Sequence, residues 1–267
     1  MIATDDLQEI IRIALCTGRL VDERPLSLLI VAAVGAGKTE LVSRFSEKYV
    51  DSVLYATDIT AFALHKKHGK ELKSGKIRHI IIPDLLTPLN KQKEQADHFI
   101  TFMNGIIEEG LARVESRDSN FIANIPVRCG FITTLATKEL ERKKDRWAAI
   151  GFLSRMLPIS YSYKQETVME IFDHIINREY LMDNPQPLKL PIDSYMLLSP
   201  DLAEQVKPYA MATKDENDQY GFRRLKQLQT FLMGRALLKG RKEVIDEDLN
   251  VLDRYAKYMR YDCKAEL

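Results

Sequence analysis

Residues 27–33 read SLLIVAA, apolar throughout after the first serine, and residues 34–39 continue as VGAGKT. An apolar run of this length without alternation fits a strand buried on both faces, as strands are in the middle of a parallel sheet. Leu41, Val42 and Phe45 then repeat at helical spacing, which predicts a helix over residues 38–49. Between strand and helix, Gly35 and Gly37 allow the backbone to turn so that successive amides face one point. The helix beyond presents the positive end of its peptide dipoles to that point. A phosphate group suits this arrangement. The pattern G-x-x-x-x-G-K-[ST] is met at three of its four defining positions, the exception being Ala32 in place of the first glycine.

The chemistry expected of these residues is specific. Lys38 neutralises the β and γ phosphates of ATP, and the hydroxyl of Thr39 faces a Mg2+ ion that keeps several waters. Val34, Gly35, Ala36, Gly37, Lys38, Thr39 and Glu40 are the expected nucleotide contacts. A carboxylate at the end of a neighbouring strand is needed to hold the magnesium shell and orient the attacking water. Asp84, which closes the run HIIIPD, is the candidate. Leu85 and Leu86 follow it, so no glutamate stands beside it.

Further apolar runs at residues 52–56, 79–82, 127–136 and 157–163 supply four more strands, separated by helical or charged stretches. With a helix over 7–20 in front, this alternation predicts an α/β fold with a five-stranded, doubly wound parallel sheet. From residue 166 onward the strand pattern stops. Residues 166–179, 200–208, 222–239 and 246–261 read as helices. The expected division is a nucleotide-binding α/β domain over 1–163 and an all-helical domain over 164–267, with nucleotide at their junction.

Net charge is +1, which gives no overall field for polyanions and excludes a uniformly basic coat protein. Two local basic groups stand out. One is His65, Lys66, Lys67, His68, Lys70, Lys73, Lys76, Arg78 and His79, and the other is Lys138, Arg142, Lys143, Lys144 and Arg146. His65 and His68 lie three apart, but no third ligand accompanies them and lysines surround them, so no metal site is expected there. Cys16, Cys129 and Cys263 are widely spaced and read as reduced thiols, with a cytoplasmic location expected. Residues 1–8 show no secretory signal, and no apolar run approaches the roughly 20 residues that cross a bilayer, so no membrane partner is expected.

From residue 26 to about 261 the chain resembles the AAA+ ATPases, a branch of the P-loop NTPases. The stretch 83–137 is most similar to the minichromosome-maintenance helicases and their MoxR-like relatives. There a metal-binding strand leads into a helix, a hairpin and a sensor strand. The counterparts here are HIIIPDLL, the helix containing FITFMNGIIEEGLARV, the polar stretch SRDSNFIANIP, and VRCGFITTLAT. The resemblance implies that the helical domain is a lid. It implies a polar sensor at the end of the fourth strand, with Thr137 the candidate and Thr133 and Thr134 as neighbours. In GFLSRMLPISYSY it makes Arg155 an arginine finger supplied to the next subunit, with Arg146 the runner-up. In Tyr220, Gly221, Phe222 and Arg223 it finds a second sensor, through which Arg223 touches nucleotide from the lid, and adjacent Arg224 could exchange roles with it.

The expected assembly is a homo-oligomeric ring or filament, a hexamer by resemblance. The expected work is ATP hydrolysis that remodels DNA or a protein–DNA complex, with an adaptor protein choosing the target. A hairpin around 116–124 would face a central pore, where Arg113 and Arg117 meet phosphates. Two alternatives stay open: a MoxR-like protein remodeller, and an ATP-gated assembly switch with weak hydrolysis, prompted by the isolated Asp84 and by Ala32.

Overall fold

The computed structural model describes residues 2–116, 119–215 and 218–267. The chain opens with α1 (Asp5–Thr17), β1 (Leu28–Ala32), α2 (Lys38–Ser43) and β2 (Val53–Tyr55). It continues through α3 (Ala61–Lys73), β3 (His79–Ile82), the short α4 (Leu86–Leu89) and α5 (Lys93–Asn104), which runs on into a π-helical turn, Gly105–Glu109. A hairpin of β4 (Leu111–Ser116) and β5 (Ser119–Val127) follows, then β6 (Gly130–Ala136), α6 (Thr137–Ala149) and β7 (Leu157–Ser160). Past β7, α7 (Gln165–Ile176), α8 (Pro200–Gln205), α9 (Lys207–Thr213), α10 (Phe222–Leu238) and α11 (Asp246–Tyr255) follow, with no further named strand among the described residues.

Five strands form one parallel sheet in the order β2-β3-β6-β1-β7. β1 lies between β6 and β7, with Leu28 opposite Ile132 on one side and Leu157 on the other. All five residues of β1 are fully buried, and their alternation divides the core in two. Leu28, Ile30 and Ala32 face α1, α2 and the helices α8–α11, whereas Leu29 and Val31 face α3, α5, α6 and the hairpin. Each of the Leu, Ile and Val side chains contributes roughly 1.5–3 kcal/mol of burial, so the register of β1 at the centre of the sheet is strongly specified.

The first core joins α1 and β1 to α10 and α11 without a break across the 163/164 boundary. Ion pairs Arg235–Glu9 and Arg254–Asp6 reinforce that contact. No helix among the described residues is long and apolar enough to cross a membrane.

Three expected elements differ. The helix after the glycine loop ends at Ser43 rather than running to 49, because Ser43 Oγ donates to the Glu40 carbonyl at 2.9 Å and the chain leaves through successive turns. The stretch 111–114 is strand rather than helix. Gly110, at φ +87°, stops the preceding turn, and a Cβ there would lie 2.7 Å from Pro126. The fourth sheet strand begins at Gly130, so Val127 closes the hairpin and Cys129 lies between the two strands, its amide donating to the Ile106 carbonyl. Of the C-terminal helices, α7, α10 and α11 match the expected stretches with ends one to six residues earlier, whereas the single helix expected over 200–208 is two, α8 and α9, the second running on to Thr213.

Candidate functional site

The glycine loop sits where β1 delivers it, at the carboxyl edge of the sheet. Gly35 and Gly37 have φ of +81° and +73°, the left-handed conformations that aim consecutive amides to one side. Among the described residues the amides of Gly35, Gly37 and Lys38 reach no backbone acceptor, and a Cβ built on Gly35 meets nothing within 4 Å. The loop is therefore an open concavity lined with N–H donors. Val34 projects outward at its lip, Ala36 is buried beneath, and Thr39 and Glu40 lie in the first turn of α2.

Lys38 arches back over this loop, donating to the carbonyl of Ala32 at 3.0 Å and of Ala33 at 2.6 Å. Burial pushes its ammonium below the ordinary lysine range, with Asp84 acting in the opposite sense. Two tyrosines brace the loop from behind. Tyr161 and Tyr163 both donate to the Ala36 carbonyl, at 2.7 and 3.1 Å. Burial raises both phenols, so each remains a donor. The signal was present in SYSY, since alternate residues of an extended segment share a face.

Asp84 lies just past the end of β3, exposed, with Oδ1 accepting the Leu86 amide at 2.9 Å. Its loop is pinned to β6: Thr134 Oγ1 donates to the Pro83 carbonyl at 2.6 Å and the Leu85 amide donates to the Thr134 carbonyl. Thr134 is thus committed to holding the backbone, and Thr133 is fully buried within β6. Thr137 is the first residue of α6, just past Ala136, which pairs with Ala32 of β1. Its hydroxyl lies 3.6 Å from Cys263 Sγ, which also approaches the Val31 carbonyl at 3.7 Å. The tail that carries Cys263 extends beside the sheet through Ser162 and Ala265. Lys38, Asp84 and Thr137 thus follow the carboxyl ends of three adjacent strands, the edge where open α/β sheets bind ligands.

The two arginines are elsewhere. Arg155 precedes β7, whose first amide, Leu157, donates to the Ser27 carbonyl at the start of β1. That is the amino edge of the sheet, about 13 Å along β1 from the loop. Arg155 Nε lies 2.8 Å from Glu108 Oε2, and its Nη1 donates to the Gly151 carbonyl at 2.8 Å. Arg223 Nε donates to Glu108 Oε1 at 2.9 Å and its Nη1 to Ser154 Oγ at 3.0 Å. Arg24 completes the set at 3.2 Å from the same carboxylate. Burial would raise the Glu108 carboxyl, but the Arg223 hydrogen bond and the three guanidinium charges outweigh it and hold it low. A cavity of about 430 Å³ opens beside this cluster, bordered by Lys226 and Ser27.

The expectation that Arg223 reaches nucleotide bound to its own chain is therefore corrected: α10 starts beside Ser154, at the wrong end of the sheet. Arg224 cannot substitute, being buried with its ordinary pKa lowered by burial while Tyr261, Asp218 and Asp215 pull the other way. Arg146, the other arginine considered for the finger, pairs with Asp97. Glu108 had no sequence signal, because the π-helical turn that carries it aims it at partners far along the chain.

Of the basic groups, His79 is buried, Arg78 pairs with Asp193 and Lys76 with Glu71, but Lys66, Lys67, Lys70 and Lys73 stand exposed along α3. His65 packs against Phe62 and Phe102, and His68 bonds Glu71. Phe121 of the hairpin lies over α3 at Gly69, and Arg113 pairs with Glu115. Arg117, expected at the hairpin tip, lies outside the described residues. No protein-family model matches the chain, and no curated protein matches it.

Proposed function

We propose that this chain is an ATPase of the AAA+ kind, built on a P-loop NTPase sheet with the helices after residue 164 as its second domain. It works as an oligomer of identical subunits. The observation that supports the reading is the placing of two groups of residues at opposite edges of the sheet. The amide-lined loop, Lys38, Asp84 and Thr137 gather at the carboxyl edge of the sheet, while Arg155 and Arg223 gather at the amino edge.

Within one subunit the loop amides and Lys38 grip the phosphates of ATP, the tyrosine pair keeps the loop in shape, and Thr137 positions the attacking water. The hydroxyl of Thr39 and the carboxylate of Asp84 suit Mg2+, a hard cation that takes oxygen ligands and, when bound, offsets phosphate charge. Arg155 and Arg223 come from the neighbouring subunit, both in trans, to stabilise the transferring phosphoryl group. The target is DNA or a protein–DNA complex. The row Lys66, Lys67, Lys70 and Lys73 beside the hairpin supports this choice, since such a row suits a phosphate backbone.

A nucleotide-gated assembly switch with slow turnover is the second reading, favoured by the lone carboxylate at the end of β3, part of whose hydrogen-bonding capacity the Leu86 amide takes. Titration calorimetry with MgATP, together with turnover measured across protein concentration, decides. Tight binding with a specific activity that rises with concentration supports the ATPase. Tight binding with no turnover at any concentration leaves the switch, and no binding removes both.

A further inference from the structure

Outside the proposed site, α7 and the turn after it carry an exposed apolar surface. In α7 only Thr167 is buried, and Met169, Phe172, Ile175 and Ile176 are at least half exposed, Ile176 at 74%. Positions 169, 172 and 176 share one helix face, and 175 adjoins it. The turn Glu179–Leu181 packs on α7 and adds Leu181 and Met182, the latter 88% exposed. Together they expose on the order of 700 Å², above the roughly 300–600 Å² of the largest patch on an ordinary monomer and near the roughly 800 Å² one partner contributes to a standard interface.

A second apolar group sits on a different part of the molecule. Tyr220 and Phe222 stack at 5.3 Å, and both are exposed, as is Met211. Gly221 between the two rings places Met211 alongside, since a Cβ there would lie 3.7 Å from its sulfur.

The two groups are anchored to opposite edges. α7 is tied to the loop edge, where Thr167 donates to the Leu267 carbonyl at 2.7 Å and Asp183, just beyond the turn, pairs with Arg44 after α2. Tyr220 and Phe222 flank the arginine edge, since the next residue, Arg223, bonds Ser154 and Glu108.

We propose that the α7 face of one copy docks on the Tyr220–Phe222 patch of a second copy, head to tail. The occupant is a second copy because one chain carries both dissimilar apolar surfaces. Joining them also brings the loop edge of one subunit to the arginine edge of the next. A contact of this kind repeats into a ring or filament, whereas α7 pairing with α7 would turn the loops toward each other and leave Tyr220 and Phe222 bare. The surface rests on the oligomeric ATPase reading only for its purpose.

The test is sedimentation velocity of the full chain without nucleotide, over a range of concentrations, for wild type, Phe172→Glu, Phe222→Glu and an equimolar mixture of the two variants. Wild type is expected to associate with concentration and each variant to stay monomeric. The mixture, which retains one intact copy of each surface, should form a dimer and nothing larger. Both side chains are exposed, and circular dichroism checks folding, with Met169→Glu replacing Phe172→Glu if that variant is misfolded.

A wild type that is monomeric throughout overturns the proposal. So does a Phe172→Glu variant that associates like wild type, or a Phe222→Glu variant that does so while Phe172→Glu is monomeric. Calorimetry with MgATP on the same wild-type sample keeps the two readings apart: binding with unaltered association in the variants sinks the surface alone, and head-to-tail association without binding sinks the nucleotide reading alone.

Discussion

Arg155 and Glu108 form the tightest ion pair of the arginine cluster, at 2.8 Å, on the sheet edge remote from Lys38. Glu108 takes Arg223 on its other oxygen, so a single carboxylate holds both guanidiniums at the edge away from the glycine loop.

From this follows a complementation prediction. Lys38→Ala should abolish ATP binding, because the loop loses its cation. Arg155→Ala should leave affinity within about twofold while lowering turnover on the order of 10³-fold. An equimolar mixture of the two inactive proteins should recover activity, since Lys38→Ala subunits lend their arginines to intact loops. A mixture as inactive as its parts, from subunits shown to co-assemble, excludes sharing of the site between chains.

The tyrosine brace predicts a second result. Removing the Tyr161 hydroxyl leaves the Ala36 carbonyl with Tyr163 alone, and removing both leaves it without a side-chain donor. Tyr161→Phe should cost about 1 kcal/mol of stability, and the double change to Phe somewhat more, because an unsatisfied buried acceptor is expensive. The loop would also loosen, so MgATP affinity should fall more in the double variant than in either single one. Urea unfolding and calorimetry measure the two effects. Unchanged affinity in the double variant would mean that the loop holds its shape without them.

What could be read beforehand follows from how local each signal was. The loop was legible because its strand, glycines and lysine are consecutive, and the backbone conformations at Gly35 and Gly37 need nothing distant. The five strands were legible from buried apolar runs. The shorter α2 was not, since Leu41, Val42 and Phe45 keep helical spacing while the serines redirect the backbone. The place of Arg223 was hidden for another reason: it depends on partners 69 and 115 residues away, set by how α10 packs. Cys263 reaches Thr137 only through the course of the tail.

His79 gives the fold a pH dependence. Full burial lowers its pKa to about 4, against the pull of a hydrogen bond to the Leu26 carbonyl. The folded state therefore holds the neutral ring more tightly than the unfolded chain, whose histidine titrates near 6.5. Between those values the unfolded chain binds more protons, so stability is full above about pH 6.5 and declines as pH falls toward 4. The shift corresponds to on the order of 3 kcal/mol over that window. Urea midpoints at pH 7.5 and 5.0 should differ accordingly in wild type, and the difference should shrink in His79→Gln. An equal pH dependence in both proteins would assign the effect to other groups.

Gly234 tests whether the C-terminal helices fold with the sheet or apart from it. A Cβ on this residue of α10 would sit 2.6 Å from Thr17 Cγ2 and 2.8 Å from the Ile13 carbonyl of α1. Thr17 cannot move aside, because its hydroxyl donates to the Ala14 carbonyl at 2.5 Å and accepts the Leu26 amide at 2.8 Å. Gly234→Ala should thus force the helices apart at a cost of about 1–3 kcal/mol, offset in part by roughly 1 kcal/mol of helix propensity. Because α10 shares its core with β1, the whole chain should lose stability in one transition. Trp147, the only tryptophan, lies in the core on the other face of the sheet and reports separately from far-ultraviolet circular dichroism. Coincident, downshifted curves from the two probes mark one cooperative unit. An early circular-dichroism transition with Trp147 fluorescence unmoved would instead make residues 164–267 a domain that unfolds on its own.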